Sequence, residues 1–313
     1  MNAVDLLDIC RSWSFWTRPV PASVPRQVTV PASLRPSLAL VVQGVRRCGK
    51  STLLRQLMGR YGLEPAHCAF LNLEDPRLTP VLEWQMLDQL VAAFRAMHPA
   101  TPRLAFFLNE IQNVEGWERW LRAQLDLGSE HLFFLTGSNA SLLSGELGTV
   151  LTGRHRTIEL FPFDWAEFAE ARPGATLVEY LHEGGFPEPM TLSDGDDLRR
   201  QYFQDIVERD IRGRVAARSS RPVRQVAHMA FESAGSELSL RRIAAATGLA
   251  VDTVGAYLSA CESSYLLFSV PFFAFSERKR SSCNRKYYLA LPPYRTPPSP
   301  LPAEPPPGQH KLL

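Results

Sequence analysis

The sequence predicts an α/β protein: a parallel sheet, followed by a helical segment and a winged-helix-like module. Three observations carry this. Short apolar runs alternate with amphipathic helical stretches over the first half of the chain. A glycine-rich turn joins the first run to the first helix. Past residue 165 the alternation stops, and a helix–turn–helix pattern follows in residues 240–264.

The first strand is "LALVVQG" (38–44), and "GKSTLLRQLMGRYG" (49–62) is the helix after it, closed by Gly62. "HCAFLNLED" (67–75) is a second strand and "PVLEWQMLDQLVAAFRAMH" (80–98) a long amphipathic helix. "RLAFFLNE" (103–110) is a third strand, "GWERWLRAQLDLG" (116–128) a helix, and "HLFFLTGSN" (131–139) a fourth strand ending in small polar residues. Apolar runs buried on both faces belong to parallel sheets covered by helices on each side. The resulting division is a lead-in (1–37), the α/β domain (38–165), a helical segment (166–235), a winged-helix-like module (236–289) and a Pro-rich tail (290–313). The last 22 residues hold nine prolines and little that packs, so disorder is expected there.

Composition narrows the class. The 313 residues are 45% apolar and 21% charged, as in soluble globular proteins, and the formal net charge of +2 steers no partner. Five scattered cysteines without a C-x-x-C pair argue for reduced thiols rather than a disulfide or zinc framework. The N-terminus lacks the basic and apolar regions of a signal peptide, and "LFSVPFFAF" and "PSLALVVQG" are too short to span a bilayer. A cytoplasmic protein without membrane contact is the expectation.

The chemistry begins at "GVRRCGKS", which is G-x-x-x-x-G-K-S from Gly44 to Ser51, after a strand and before a helix. In that context Gly44 and Gly49 let backbone N–H groups wrap phosphates. Lys50 reaches the β/γ-phosphates, Ser51 ligates Mg²⁺, and Thr52 continues the cradle at the helix N-terminus. ATP and Mg²⁺ are the implied ligands. Such a P-loop needs a second apolar strand beside the first, with acidic residues at its end. "LAFFLNE" supplies it: Glu110 is the candidate general base, and Asn109 stands where an Asp would serve the Mg²⁺ hydration shell. An amide accepts a hydrogen bond but adds no negative charge, so Mg²⁺ binding should weaken. In "LTGSN", Ser138 or Asn139 can orient water or touch the γ-phosphate. Arg154 and Arg156, and the run 208–224, are candidates for an arginine that stabilises transition-state charge, in cis or from a neighbouring subunit.

"LRRIAAATG" (240–248), the turn "LAV" and "DTVGAYLSACESS" (252–264) read as two helices, the second capped by Asp252, with Val254, Tyr257, Leu258 and Cys261 on its apolar face. That second helix exposes no Lys or Arg. DNA contact through residues 239–286 would rely on Arg241, Arg242 and the basic stretch "ERKRSSCNRK" (277–286), and a structural or protein-contact role has the better case.

Taken as an ordered set, "GVRRCGKSTLL", "LNLEDPRL", "NEIQNVEGWERWLR", "LTGSNASLLSGELGTVLTGRHRTIELFPFDWAEF", "EGGFPEP", "YFQDIVERDIRGR" and "RKYYL" resemble a family of prokaryotic AAA-type P-loop ATPases that carry a C-terminal domain of unknown function. The resemblance spans roughly residues 38–289. It implies ATP binding, a P-loop sheet, a helical segment and a winged-helix-like module, and homo-oligomers that supply an arginine in trans. Family members usually carry Asp at the place of Asn109. They continue after "YYL" into a domain resembling restriction endonucleases; here the Pro-rich tail follows, which suggests a frameshift or truncation near Ala290. The expected function is ATP binding with slow or impaired Mg²⁺-dependent hydrolysis that drives conformational change. The alternative is a nucleotide-gated DNA-binding regulator without turnover.

Overall fold

The computed structural model describes residues 3–17, 23–140, 150–192 and 194–289. The tail expected to be disordered, 290–313, lies outside them. Strands β1 (Ala39–Gly44), β2 (Cys68–Asn72), β3 (Ala105–Asn109), β4 (Leu132–Gly137) and β5 (His155–Leu160) form a parallel five-stranded sheet in the order β2-β3-β4-β1-β5. The fold class is therefore α/β, as the apolar runs predict.

Period-two alternation sends successive side chains to opposite faces of the sheet, and helices on both faces explain why β1 to β4 are mainly apolar. Leu40 and Val42 of β1, Phe107 of β3 and Phe134 of β4 point to one face, while Val41, Phe106 and Phe133 point to the other. The β3–β4 register sets Phe106 opposite Phe133 and Phe107 opposite Phe134. Both ring pairs stack, with centroids 5.7 and 4.5 Å apart. Each of these fully buried rings contributes about 1.5–3 kcal/mol by leaving water.

One face is covered by α1 (Ala3–Trp13), α3 (Trp84–Met97) and α4 (Trp117–Asp126), through Leu6, Ile9, Leu87, Leu90, Trp120 and Leu121. The other is covered by α2 (Lys50–Arg60) and by helices from the second half of the chain. Those are α7 (Gly195–Asp205), which runs into a π-helix (Ile206–Ile211), and α8 (Ser220–Glu232); α5 (Trp165–Ala171) and α6 (Leu177–Glu183), which precede them in the chain, pack on each other through Trp165, Phe168 and Tyr180. The apolar cluster on that face continues without a break from β1 through α7 and α8 to Ile243, Val254 and Leu258. The divisions drawn at 165/166 and 235/236 thus do not interrupt the core.

The C-terminal elements are β6 (Glu237–Leu238), α9 (Leu240–Thr247), α10 (Val251–Ser263), β7 (Leu267–Val270), α11 (Glu277–Ser282) and β8 (Arg285–Leu289). The three strands pair antiparallel in the order β6-β8-β7. Helix α9 ends at Gly248, whose φ of 72° favours glycine, and α10 leaves at 109° to it. Val254, Tyr257, Leu258 and Cys261 face the core, as their spacing predicts. The expected cap is corrected: α10 begins at Val251, so Asp252 sits inside the first turn, where its charge complements the helix dipole. Among the described residues, no single helix is long and apolar enough to cross a membrane.

Two strand expectations change. Strand β5 is an addition to the four that the apolar runs predict, because "HRTIEL" keeps only Ile158 and Leu160 buried and lacks a continuous apolar run. And β3 does not lie beside β1, since β4 stands between them.

Candidate functional site

The P-loop leaves β1 at Gly44 and enters α2 at Lys50. Gly49 caps the helix at φ 99°, and Arg47, with a side chain, holds φ 70°. The left-handed region costs a non-glycine residue of order 1 kcal/mol or more, and such strain gathers at functional turns. Gly44 is required for a different reason. A Cβ there would lie 2.0 Å from the Leu160 carbonyl oxygen, so β5 and the P-loop can meet only through a glycine.

Lys50 is buried. Its Nζ donates to the carbonyls of Gly44 (3.0 Å) and Val45 (3.1 Å) and lies 3.4 Å from Glu110 Oε1. Ser51 Oγ donates to Asn109 Oδ1 at 2.9 Å, so the P-loop helix reaches past β4 to the end of β3. Thr52 lines a cleft of about 740 Å³ with Gly49, Val24, Phe163, Pro187 and Thr191, open beside the P-loop.

Asn109 is a hub. Its Oδ1 accepts from both Ser51 and Thr136 Oγ1 (2.9 Å each), and its Nδ2 donates to Asn72 Oδ1 at 3.0 Å. Glu110 follows at φ 59°, a left-handed turn that swings its carboxylate from the sheet toward Lys50. Its backbone N–H donates to Thr136 Oγ1 at 2.9 Å, and Gln112 Nε2 donates to its carboxylate at 2.7 Å. Burial pushes this carboxyl up, but the Lys50 charge, the Gln112 bond, the Arg46 charge and a Ser138 bond outweigh it. Glu110 is therefore held below the usual carboxylate range, as an anion. Ser138 and Asn139 are buried at the tip of β4, beside this cluster.

The structure thus brings together Gly44, Gly49, Lys50, Ser51, Asn109, Glu110 and Ser138, with Thr52 at the adjoining cleft. Arg154 stands apart. It precedes β5 at the opposite end of the strands from the P-loop: its carbonyl accepts from Ala39 N, and its guanidinium pairs with Asp126 at 2.7 Å. A role for Arg154 on this chain's own phosphate site is excluded by that position. Arg156, which pairs with Leu40 in register, sits near the same end.

The paired oxygens of Ser51 and Asn109 form an all-oxygen donor set that suits a hard cation such as Mg²⁺. Because Asn109 is neutral, the carboxylate of Glu110 is the nearby negative charge.

Several residues that build the site carry no mark in the sequence motifs. Arg26, from the lead-in, is buried and donates to the Cys48 carbonyl inside the P-loop (2.7 Å), the Phe161 carbonyl (2.6 Å) and Glu167 (2.9 Å). Nothing around "VPRQV" marks this arginine, which is 22 residues from Cys48 and 141 from Glu167. Gln112 and Thr136 lie two residues from recognised positions, and their polarity within "NEIQ" and "LTGSN" was the available signal. Arg46 bonds Glu74 at 2.9 Å and Asp210 at 3.2 Å, contacts that sequence spacing could not reveal.

Residues 37–169 match a family model described as an AAA domain, and residues 174–290 match one described as a domain of unknown function. An uncharacterized protein of Haemophilus influenzae is 28% identical over 267 residues, covering 80% of this chain and 66% of its own length. An uncharacterized protein of Methanocaldococcus jannaschii is 28% identical over 280 residues, covering 82% of this chain and 61% of its own. The chain therefore spans less than two thirds of the length of both relatives. AMPPCP-bound DnaA from Aquifex aeolicus aligns with 73% of this chain and 82% of its own at 16% identity, with a TM-score of 0.35.

Proposed function

For a chain in which an AAA-type P-loop domain (37–169) precedes a domain of unknown function (174–290), we propose ATP binding at Gly44–Thr52 and hydrolysis by Glu110. The observation that carries this reading is the buried contact between Lys50 and Glu110, 3.4 Å apart at the mouth of the P-loop. A lysine and a carboxylate so placed are a phosphate-binding cation and a base that occupy each other until a ligand arrives.

The residues act as follows. Gly49 and the N–H groups at the start of α2 cradle the phosphates, and Lys50 turns from the Gly44 and Val45 carbonyls to the β/γ-phosphate oxygens. Once drawn to phosphate, Lys50 no longer neutralises Glu110. The carboxylate, oriented by Gln112, is then free to accept a proton from water. The water oxygen bonds to the γ-phosphorus as the bond to the β-phosphate oxygen breaks, and Glu110 carries the proton. Ser138, within reach of Gln112, orients that water. Ser51 and Asn109 would hold Mg²⁺, which when bound withdraws charge from the phosphate oxygens. A neutral Asn109 supports slow turnover, because it offers the ion a dipole in place of a charge. The cleft beside Thr52 has the volume for a nucleoside.

A second reading rests on the order α8-β6-α9-α10-β7-α11-β8, with 109° between α9 and α10, which resembles a winged-helix module with a short helix in its wing. Arg278, Lys279, Arg280, Arg285 and Lys286 supply phosphate-binding charge between and on its last two strands. This would make the chain a nucleotide-gated DNA-binding regulator. The exposed residues of α10 (Val251, Asp252, Ala256 and Ser259) carry no cation, so the ATP reading has the stronger support. Homo-oligomers that bring Arg154 to a neighbour's phosphate also belong to this proposal.

Titration of the full chain with ATP by calorimetry tests the main reading. Lys50→Ala should lose binding by at least about a hundredfold, the scale of a phosphate held by a buried ammonium. Retained tight binding by that variant would overturn the P-loop assignment.

A further inference from the structure

We propose that Arg46 is a phosphate-contacting residue and that Asp210, from the domain that follows, is the counterion it exchanges for nucleotide. The P-loop would thereby report its occupancy to residues 206–211. The proposal rests on the nucleotide-binding reading above.

Arg46 lies in the middle of the P-loop, yet its side chain is only 15% exposed. Nη1 donates to Glu74 at 2.9 Å, while Nη2 and Nε donate to the two oxygens of Asp210 at 3.2 and 3.3 Å. Two carboxylates thus converge on one P-loop cation, and the forked bond to Asp210 is the geometry that an arginine offers a phosphate. The neighbouring cations are occupied in the same way. Arg47 lies 3.8 Å from Glu188 and stacks 5.7 Å over the Tyr202 ring, and Lys50 lies 3.4 Å from Glu110. Every cation of the P-loop therefore rests on a carboxylate, and residues 174–290 supply one of the two on Arg46 and the one on Arg47.

A bound triphosphate competes for the same three cations with several negative charges of its own. Oxygen acceptors of phosphate and carboxylate are interchangeable to a guanidinium, so its partners are set by which anion lies closer and carries more charge. Asp210 is buried, its side chain 8% exposed, and a buried carboxylate does not stay where its cation has left it. It must follow Arg46 or move. The backbone beneath it is built to move: Asp210 sits in a π-helix, where Arg212 N bonds the Val207 carbonyl five residues back at 2.8 Å. Such turns are wider and less stable than α-helix and gather at functional places. Arg214, one turn on and already within electrostatic reach, gives Asp210 a second cation to turn toward.

The test measures binding of AMPPNP and ADP to the full chain by calorimetry, with hydrogen exchange of residues 206–211 followed in parallel. Wild type should prefer AMPPNP and exchange faster at 206–211 with AMPPNP than with ADP. Arg46→Gln should lose about tenfold in AMPPNP affinity and much less for ADP, the scale of one charge-assisted hydrogen bond. Its exchange at 206–211 should be raised in both states and no longer respond to AMPPNP. Asp210→Asn keeps Arg46 and removes its competitor, so AMPPNP should bind about threefold or more tightly. An Arg46→Gln chain with the wild-type ratio of AMPPNP to ADP affinity overturns the proposal while leaving the P-loop reading intact. So does an Asp210→Asn chain whose AMPPNP affinity is unchanged or lower, which decides the matter even if Arg46→Gln does not fold. Wild type that binds neither nucleotide overturns both readings.

Discussion

Replacing Arg26 with alanine should be among the most damaging single changes outside the apolar core, and the contacts say by how much. Arg26 and Glu167 are both almost wholly buried, with side chains 3% and 4% exposed. At 2.9 Å, two unit charges attract by about 6 kcal/mol at an effective dielectric near 20, and desolvation offsets most of that. Removing one partner does not return the offset, because Glu167 stays buried. It keeps two backbone donors, Gln27 N at 2.7 Å and Asp164 N at 3.2 Å, which places the cost toward the lower end of the roughly 3–5 kcal/mol typical of a broken buried pair. The carbonyls of Cys48 and Phe161 also lose their donor, adding about 1 kcal/mol or more unless water replaces it. Arg26→Ala should therefore destabilise the chain by about 3–5 kcal/mol in equilibrium urea unfolding followed by circular dichroism. Adding Glu167→Gln to Arg26→Ala should recover part of the loss, since the double variant buries no unpaired charge. A loss below about 1 kcal/mol, or strictly additive effects of the two substitutions, would refute the reasoning.

Three further outcomes are expected. Gly44→Ala should lower the thermal midpoint even without nucleotide, because its Cβ meets the Leu160 carbonyl at 2.0 Å; a cost of roughly 1–3 kcal/mol is typical of such crowding, and an unchanged melt would show that β5 yields freely. Glu110→Gln should cut steady-state phosphate release by at least about a hundredfold while Asn109→Asp raises it, and equal rates in all three proteins would remove Glu110 as the base. In acid, the Arg77 hydrogen bonds hold Asp75 well below its ordinary range against the opposing effect of burial, helped by the indole of Trp13 at 2.6 Å. A depressed folded value means that Asp75 stabilises fully above an unfolded value near 3.9, and that this is lost as pH falls through the folded one. Unfolding midpoints measured from pH 5 to pH 2 should thus fall more steeply for wild type than for Asp75→Asn, and parallel curves would contradict this.

The sequence by itself determined the α/β class, four of the five strands of the large sheet, the P-loop and the pairing of the two helices at 240–264. All of these are local. An apolar run, a G-x-x-x-x-G-K-S spacing or a glycine after a helix records a conformation that depends on near neighbours. Strand β5 escaped because an edge strand buries few of its side chains, so "HRTIEL" carries no continuous apolar signal. Tertiary structure alone decided which distant groups meet. It placed β4 between the P-loop strand and the strand ending in Asn109-Glu110, and moved Arg154 to the far end of the sheet. It also closed Arg26 onto Cys48 and Glu167, and set Asp210 against Arg46 across 164 residues. The physical reason is that a charged side chain chooses its partner by distance and burial after the chain has folded. A lone arginine in a sequence looks the same whether it ends in solvent or inside a phosphate loop. "LAFFLNE" shows both halves of this division. Its strand, and the missing charge at Asn109, could be read from the letters, while the contact of Glu110 with Lys50 needed the fold.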